Sequence, residues 1–233
     1  MFEAVKIVAI DGPAGSGKST VSKLVAEKLG FIYIDTGAMY RALTFKVMKN
    51  NISFSEEDKI IEIAGTLDLK LLPSQAKGTS ICAILDGEDV SREIRRSEVT
   101  GNVKYLAKIA KVRENMVKFQ RRMIKGMGSV VMEGRDIGTV VLPKAEYKFY
   151  LDASFNERVH RRFQELRARG DLITREEVAE NLKQRDYSDK TREVGPLKKA
   201  KDAIFVDTTD FTIEEVIDKI VEIVEADPVN SER

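Results

Sequence analysis

The chain has 233 residues, a length that suits one core domain with appended segments better than two independent domains. With 42% hydrophobic and 33% charged residues it can bury a substantial core beneath a charged surface, and a net charge of +1 gives no global case for nucleic-acid binding. The single cysteine, Cys82, excludes an internal disulfide, and the single histidine, His160, excludes a histidine dyad or a histidine-ligated metal.

In chain order, Val5–Ile10 is an apolar run that predicts a buried strand, and it leads straight into Gly12-Pro13-Ala14-Gly15-Ser16-Gly17-Lys18-Ser19-Thr20. This stretch satisfies G-x-x-x-x-G-K-[ST]. Glycines let successive N–H groups face one concavity, and the helix that follows aims its positive end at the same point. Lys18 can then reach β- and γ-phosphates, and the Ser19 hydroxyl can hold Mg²⁺. The pattern implies a nucleoside triphosphate site. Val21, Leu24, Val25 and Leu29 predict a helix over Lys18–Leu29 that ends at Gly30.

Phe31–Ile34 reads as a second strand ending at Asp35, with Asp35–Arg41 as a turn feeding a helix that Asn50-Asn51 stops. Ser55 and Asp58 are expected to open another helix, with Ile60, Ile61, Ala64 and Leu67 inward. Leu69–Leu72, Ser80–Leu85 and a short strand after Asp86-Gly87 form a β-rich insertion, looped around residues 73–79. Helices are expected over Glu98–Ala110 and Val112–Lys125, the second with Val112, Met116, Phe119 and Met123 on its apolar face.

Ser129–Glu133 and Tyr147–Leu151 read as buried strands, the first followed by Gly134-Arg135-Asp136-Ile137-Gly138. An arginine-rich helix, Phe155–Arg169, closes at Gly170. Thr174 with Glu177 and Thr212 with Glu215 read as capping boxes, the second opening a helix whose Ile213, Ile217, Ile220 and Val224 face inward. Between them Ala203–Asp207 is the last strand, and a frayed tail follows Ala226. Strands alternating with helices imply an α/β fold, a parallel sheet covered on both faces, with ligands at the carboxyl ends of the strands.

Arg92–Lys125 carries eleven Lys/Arg against three acids. Such a tract is either a solvated helix face or a surface for an anionic small substrate. Arg158, Arg161 and Arg162 suit a flap over a triphosphate, or a solvated face paired with Glu157 and Glu165. Arg185, Asp189 and Arg192 recur at i, i+4, i+7 and offer either phosphate contacts or an internal ion pair. A nucleoside monophosphate is largely dianionic at pH 7, its second pKa being about 6, so its phosphorylation needs cations and alignment rather than a base. Arginine-rich and nearly histidine-free, the chain fits that demand.

DGPAGSGKST, DTGAMYR, VREN…QRR, EGRDIGTVV, FNERVHRR and RDYSDKTR together resemble bacterial cytidylate kinase, a P-loop nucleoside monophosphate kinase family, over nearly the whole chain. The resemblance implies a five-stranded parallel sheet, with a core over about 1–36, 126–155 and 175–233. It also implies a nucleotide-binding region with the β insertion over about 37–125, and an arginine-rich lid over about 156–174. The implied activity is ATP-dependent phosphorylation of CMP and dCMP, with Mg²⁺.

By the same resemblance, Gly12, Pro13, Ala14, Gly15, Ser16, Gly17, Lys18, Ser19 and Thr20 bind ATP, Ser19 also serving the metal. Thr36, Arg41 and Arg192 hold the CMP phosphate, with Arg135 nearby. Arg113 and Asp136 read cytosine, and Arg185 with Asp189 the sugar. Lys18, Arg158, Arg162 and Arg192 act on the transferring group. Lys104 stands where the family often carries serine, so either it turns to solvent or a neighbour such as Thr100 serves. A kinase for UMP, AMP or a small hydroxyl acceptor, with Asp35 as base, remains the alternative. A cytoplasmic monomer that binds neither nucleic acid nor membrane is expected, since the N-terminus leaves no room for a signal peptide and no apolar stretch approaches a membrane span.

Overall fold

The computed structural model describes residues 5–73 and 81–226. The loop expected around 74–79 and the tail after Ala226 lie outside the described residues. The chain forms two compact units, one of Met1–Tyr33, Met127–Thr191 and Pro196–Arg233, the other of Ile34–Gly126 and Arg192–Gly195.

A five-stranded sheet has the order β2-β6-β1-β7-β8, and all of it except Ile34 and Asp35 belongs to the first unit. Its strands are β1 (Ile7–Asp11), β2 (Ile32–Asp35), β6 (Val130–Gly134), β7 (Tyr147–Asp152) and β8 (Ile204–Asp207). β1 runs parallel to both β6 and β7, Val8 lying opposite Val131 and Tyr147. Continuous apolar runs such as Val130-Val131-Met132 are what a strand covered on both faces requires. One cover is α1 (Lys18–Leu29) with α8 (Ile213–Ala226): Val21, Val25, Val216, Ile220 and Val224 pack onto Val8, Ile10, Phe149 and Leu151.

Gly30 closes α1 in the left-handed conformation, φ 68°, and its N–H reaches the carbonyls of Ala26 and Glu27. Both capping boxes form reciprocally, Thr174 with Glu177 ahead of α7 (Arg175–Thr191) and Thr212 with Glu215 ahead of α8. Ile213 departs from expectation: it is exposed, because the buried stripe of α8 runs through Val216, Ile217, Ile220, Val221 and Val224. α6 (Phe155–Ala168) pairs with α7 through Val159, Leu166, Val178 and Leu182, a cluster that also takes in Ala14 of the glycine-rich loop.

In the second unit, Asp35–Arg41 is not a turn. α2 (Thr36–Lys49) begins at once, because the Asp35 carboxylate caps it by accepting the Ala38 N–H at 2.9 Å. α3 (Glu57–Gly65) is preceded by Glu56 rather than capped by Ser55, and Ile60 and Ala64 are its buried residues. β3 (Leu69–Pro73), β4 (Ile81–Leu85) and β5 (Glu88–Asp89) form the expected antiparallel insertion, Leu69 opposite Leu85 and Leu71 opposite Ala83. Asp86 and Gly87, at φ 50° and 86°, make the two-residue connection from β4 to β5. α4 spans Ser97–Ala107 and α5 spans Ala110–Ile124. On α5, Arg113 and Gln120 are buried with Val112 and Met116, so its cationic residues do not all face outward.

Candidate active site

The register of the first unit sets Asp11, at the end of β1, opposite Gly134, at the end of β6. The glycine-rich loop and the Arg135-Asp136 turn therefore leave the sheet at the same end. Asp11 joins them: its two carboxylate oxygens accept the N–H groups of Ile137 and Gly138, each at 2.8 Å, holding the π-helical turn Ile137–Val141. Burial pushes the Asp11 carboxyl up to about 6, although those two hydrogen bonds work the other way.

The loop is packed so closely that two glycines are steric necessities. A Cβ on Gly12 would stand 2.0 Å from the Leu151 carbonyl oxygen, and one on Gly15 would stand 2.8 Å from that of Arg158. Gly15 and Gly17 also sit at φ 79° and 81°. Gly17 is the N-cap of α1 and offers no side chain, so the first N–H groups of the helix are left for an anion. Ser16 places a buried Oγ in the same loop that has no hydrogen-bond partner among the described residues.

Lys18 is buried, and its Nζ donates to the Pro13 carbonyl oxygen at 3.1 Å. Burial, then the charges of Arg135 and Arg185, push its ammonium down to about 7, while Glu133 and Asp189 partly offset them. A cation held so unfavourably is a cation awaiting an anion. Triphosphate binding is therefore expected to draw a proton onto Lys18. Calorimetry in buffers of different ionisation enthalpy should find uptake approaching one proton at pH 8–9 and vanishing toward pH 6; no uptake at pH 8–9 would contradict this.

Ser19 donates its hydroxyl proton to Glu133 Oε2 at 2.8 Å, which leaves its lone pairs available, and Tyr33 donates to Glu133 Oε1. Sequence reasoning missed Glu133 and Tyr33. The signal was an acidic residue ending an otherwise apolar strand beside the one that leads into the loop. Hydroxyl and carboxylate are hard oxygen donors, the kind magnesium takes when phosphates and water complete its shell.

Arg135 forms an ion pair with Asp189 at 2.9 Å. Burial opposes its charge, but Asp189 outweighs burial and holds it above the usual range. Asp136 is buried beside it, and Arg185 is half-buried on α7. Arg158 is committed to the protein: it donates to the carbonyls of Ala14 and Ala153 and pairs with Asp186 at 2.7 Å. Arg161, which a Cβ on Gly17 would approach to 3.5 Å, donates to Glu157 and to both oxygens of Thr208. Arg162 pairs with Glu165, and Thr20 is exposed at the start of α1.

Thr36, Arg41, Arg113 and Arg192 belong to the second unit. Asp35 accepts from Arg41 at 2.8 Å. Burial disfavours its charge, yet Arg41 and the Ala38 N–H outweigh burial and hold it below the usual carboxylate range. Gly37 makes room: a Cβ there would lie 3.0 Å from Asp35 Oδ1 and 3.1 Å from Arg41 Nη1. Thr36 is buried. Arg113 is buried with its guanidinium 5.6 Å from the Tyr40 ring centre. Arg192 stands one residue past the end of α7, not on it, and donates to the Gly195 carbonyl at 2.6 Å. Lys104 is exposed, its ammonium 5.2 Å from the Tyr105 ring centre.

A family model described as cytidylate kinase matches residues 8–226. The cytidylate kinase of Caldanaerobacter subterraneus subsp. tengcongensis is 50% identical over 215 residues, 92% of this chain and 92% of the relative. That of Caldicellulosiruptor saccharolyticus is 48% identical over 216 residues, 93% of this chain and 94% of the relative. A crystal structure of an uncharacterized protein from Eubacterium ventriosum covers 96% of this chain and 100% of its own at 11% identity and a TM-score of 0.50, a likeness of fold alone. With a glycine-rich phosphate loop on a parallel sheet, a family model matched over residues 8–226 and half the residues shared with a relative over 92% of the chain, the chain belongs to the cytidylate kinase family.

Proposed function

We propose that the chain transfers the γ-phosphoryl group of ATP to CMP, giving ADP and CDP. The carrying observation is Lys18, a buried lysine inside the phosphate loop whose ammonium donates to the Pro13 carbonyl and feels the positive charges of Arg135 and Arg185. Such a site is destabilised while empty and relieved by a polyanion.

In this reading Gly12–Thr20 hold the ATP phosphates, and Ser19, its proton turned to Glu133, presents lone pairs to Mg²⁺. Bound there, the metal would neutralise charge on the β- and γ-phosphates. Thr36, Arg41 and Arg192 hold the CMP phosphate, with Arg135 nearby, and Arg185 and Asp189 take the sugar. Arg162 and Arg192 offset charge on the transferring group. Arg158 acts through the Ala14 carbonyl unless it leaves Asp186. Residues 156–174 serve as the lid, and the chain acts as a monomer.

CMP arrives as a dianion and nothing must be deprotonated. A hydroxyl acceptor would want a base poised near neutrality. Asp35, the base that the hydroxyl-acceptor alternative would use, is capped and ion-paired and held below its usual range, which makes it a poor base for that work.

Asp136 and Arg113 read the base. The cytosine amino group donates where uracil presents an acceptor, so uracil would set an acceptor against a buried carboxylate, at a cost of about 1–3 kcal/mol. Steady-state ADP release with CMP, dCMP, UMP and AMP tests this. CMP and dCMP are expected to be used well, and Asp136→Ala should raise the KM for CMP and lower the CMP:UMP preference by about 10- to 100-fold. An unchanged ratio would remove Asp136 from base reading, and activity with AMP but not CMP would overturn the proposed reaction.

A further inference from the structure

The Glu133 carboxylate is engaged at both ends. Oε2 receives the Ser19 hydroxyl at 2.8 Å and Oε1 receives the Tyr33 hydroxyl, while Glu133 itself is 2% exposed. Tyr33 comes from β2, the sheet neighbour of β6, and its ring packs against the apolar cluster under the sheet. The three side chains thus form a relay from a packed ring to the first turn of α1. A carboxylate held at one oxygen alone can swing about its last torsion, which is broad for glutamate. Held at both, it keeps Oε2 facing Ser19.

We propose that Tyr33 is a positioning residue of the phosphate site: its hydroxyl fixes the Glu133 carboxylate so that Ser19 keeps its proton turned away and its lone pairs turned toward the metal of the incoming nucleotide. The inference rests on the Mg²⁺ role proposed for Ser19. Phenylalanine would fill the same apolar space, so packing alone does not call for a hydroxyl here. Partners one shell out from a metal typically change its affinity about 10- to 100-fold, and Tyr33 stands one link further.

The test is ATP binding by calorimetry, with Mg²⁺ and again in excess chelator, for the wild-type chain and Tyr33→Phe. Loss of the hydroxyl is expected to reduce the Mg²⁺-dependent gain in ATP affinity by about 5-fold, with ATP affinity in chelator and CMP affinity unchanged. In a Glu133→Gln background the Tyr33→Phe effect should vanish. An undiminished Mg²⁺-dependent gain, an equal loss in chelator, or a full effect that persists beside Glu133→Gln would each overturn the proposal. Should the wild-type chain show no Mg²⁺-dependent gain, the metal role of Ser19 falls and this inference with it. The acceptor reading is judged separately, by ADP release with CMP.

Discussion

Lys18→Met is expected to lower the turnover of CMP by about 10³-fold, the scale of removing one preorganised charge from a transition state, and to raise the stability of the ligand-free protein. Both effects come from the same placement. The ammonium is buried and feels the positive charges of Arg135 and Arg185, so without a bound anion its charge is a cost, offset only when phosphate oxygens arrive. Methionine keeps the length and removes the charge. The sign with pH follows from a native pKa pushed down from 10.5 to about 7. Below about pH 7 the native state carries the full cost of a protonated buried lysine. Between pH 7 and 10.5 the cost fades as the native lysine sheds its proton while the unfolded chain keeps its own. The stability advantage of Lys18→Met should therefore be largest at pH 6–7 and shrink toward pH 10. Thermal unfolding of both proteins at several pH values measures it, and a variant less stable than wild type at pH 6.5 would contradict the account.

Arg158→Met is expected to cost about 3–5 kcal/mol, the range for removing one partner of a buried ion pair, or a melting temperature lower by roughly 10 °C for a chain of this size. Arg158 is 6% exposed, and its guanidinium joins four protein groups: the carbonyls of Ala14 and Ala153, the Asp186 carboxylate at 2.7 Å, and Asp152 at 3.6 Å. Removing it strands Asp186 and takes a counter-charge from Asp152, whose carboxyl burial already pushes up. Arg158→Met with Asp186→Leu should recover most of the loss, since an apolar pair replaces a buried ionic one at little cost. Chemical denaturation of the two variants decides the matter. A single variant as stable as wild type but inactive would place the guanidinium on the triphosphate instead of on the brace between the phosphate loop and α7.

Much of the framework was legible because its signals are local. α1 begins at Lys18 and ends at Leu29 as read, since motif, apolar spacing and Gly30 agree. Both capping boxes were visible as Thr-x-x-Glu ahead of a helix, and Asp86-Gly87 marked its hairpin. Asp35–Arg41 was misread because Thr-Gly after an acid suggests a turn, whereas the decisive feature is an aspartate three residues before Ala38. The partners of the site were not legible. Tyr33 meets Glu133 only because β2 lies beside β6 in the sheet, an order that no residue pattern states. Arg158 read as one arginine among several on α6. Its fixation depends on Asp186 of α7 and on the Ala14 carbonyl, both far away in sequence. Arg135 of the turn after β6 pairs with Asp189 of α7, a partner 54 positions away along the chain.

In the proposed reaction the acceptor already carries its negative charge, so that cations and alignment suffice and no proton has to be removed. ADP formation from ATP and Mg²⁺, compared side by side with CMP and with cytidine at neutral pH, tests that most directly. ADP formed with CMP, with the new phosphate recovered in CDP, and none formed with cytidine is the predicted result. ADP formed with cytidine, yielding CMP, would mean that a hydroxyl is the true acceptor and would contradict it.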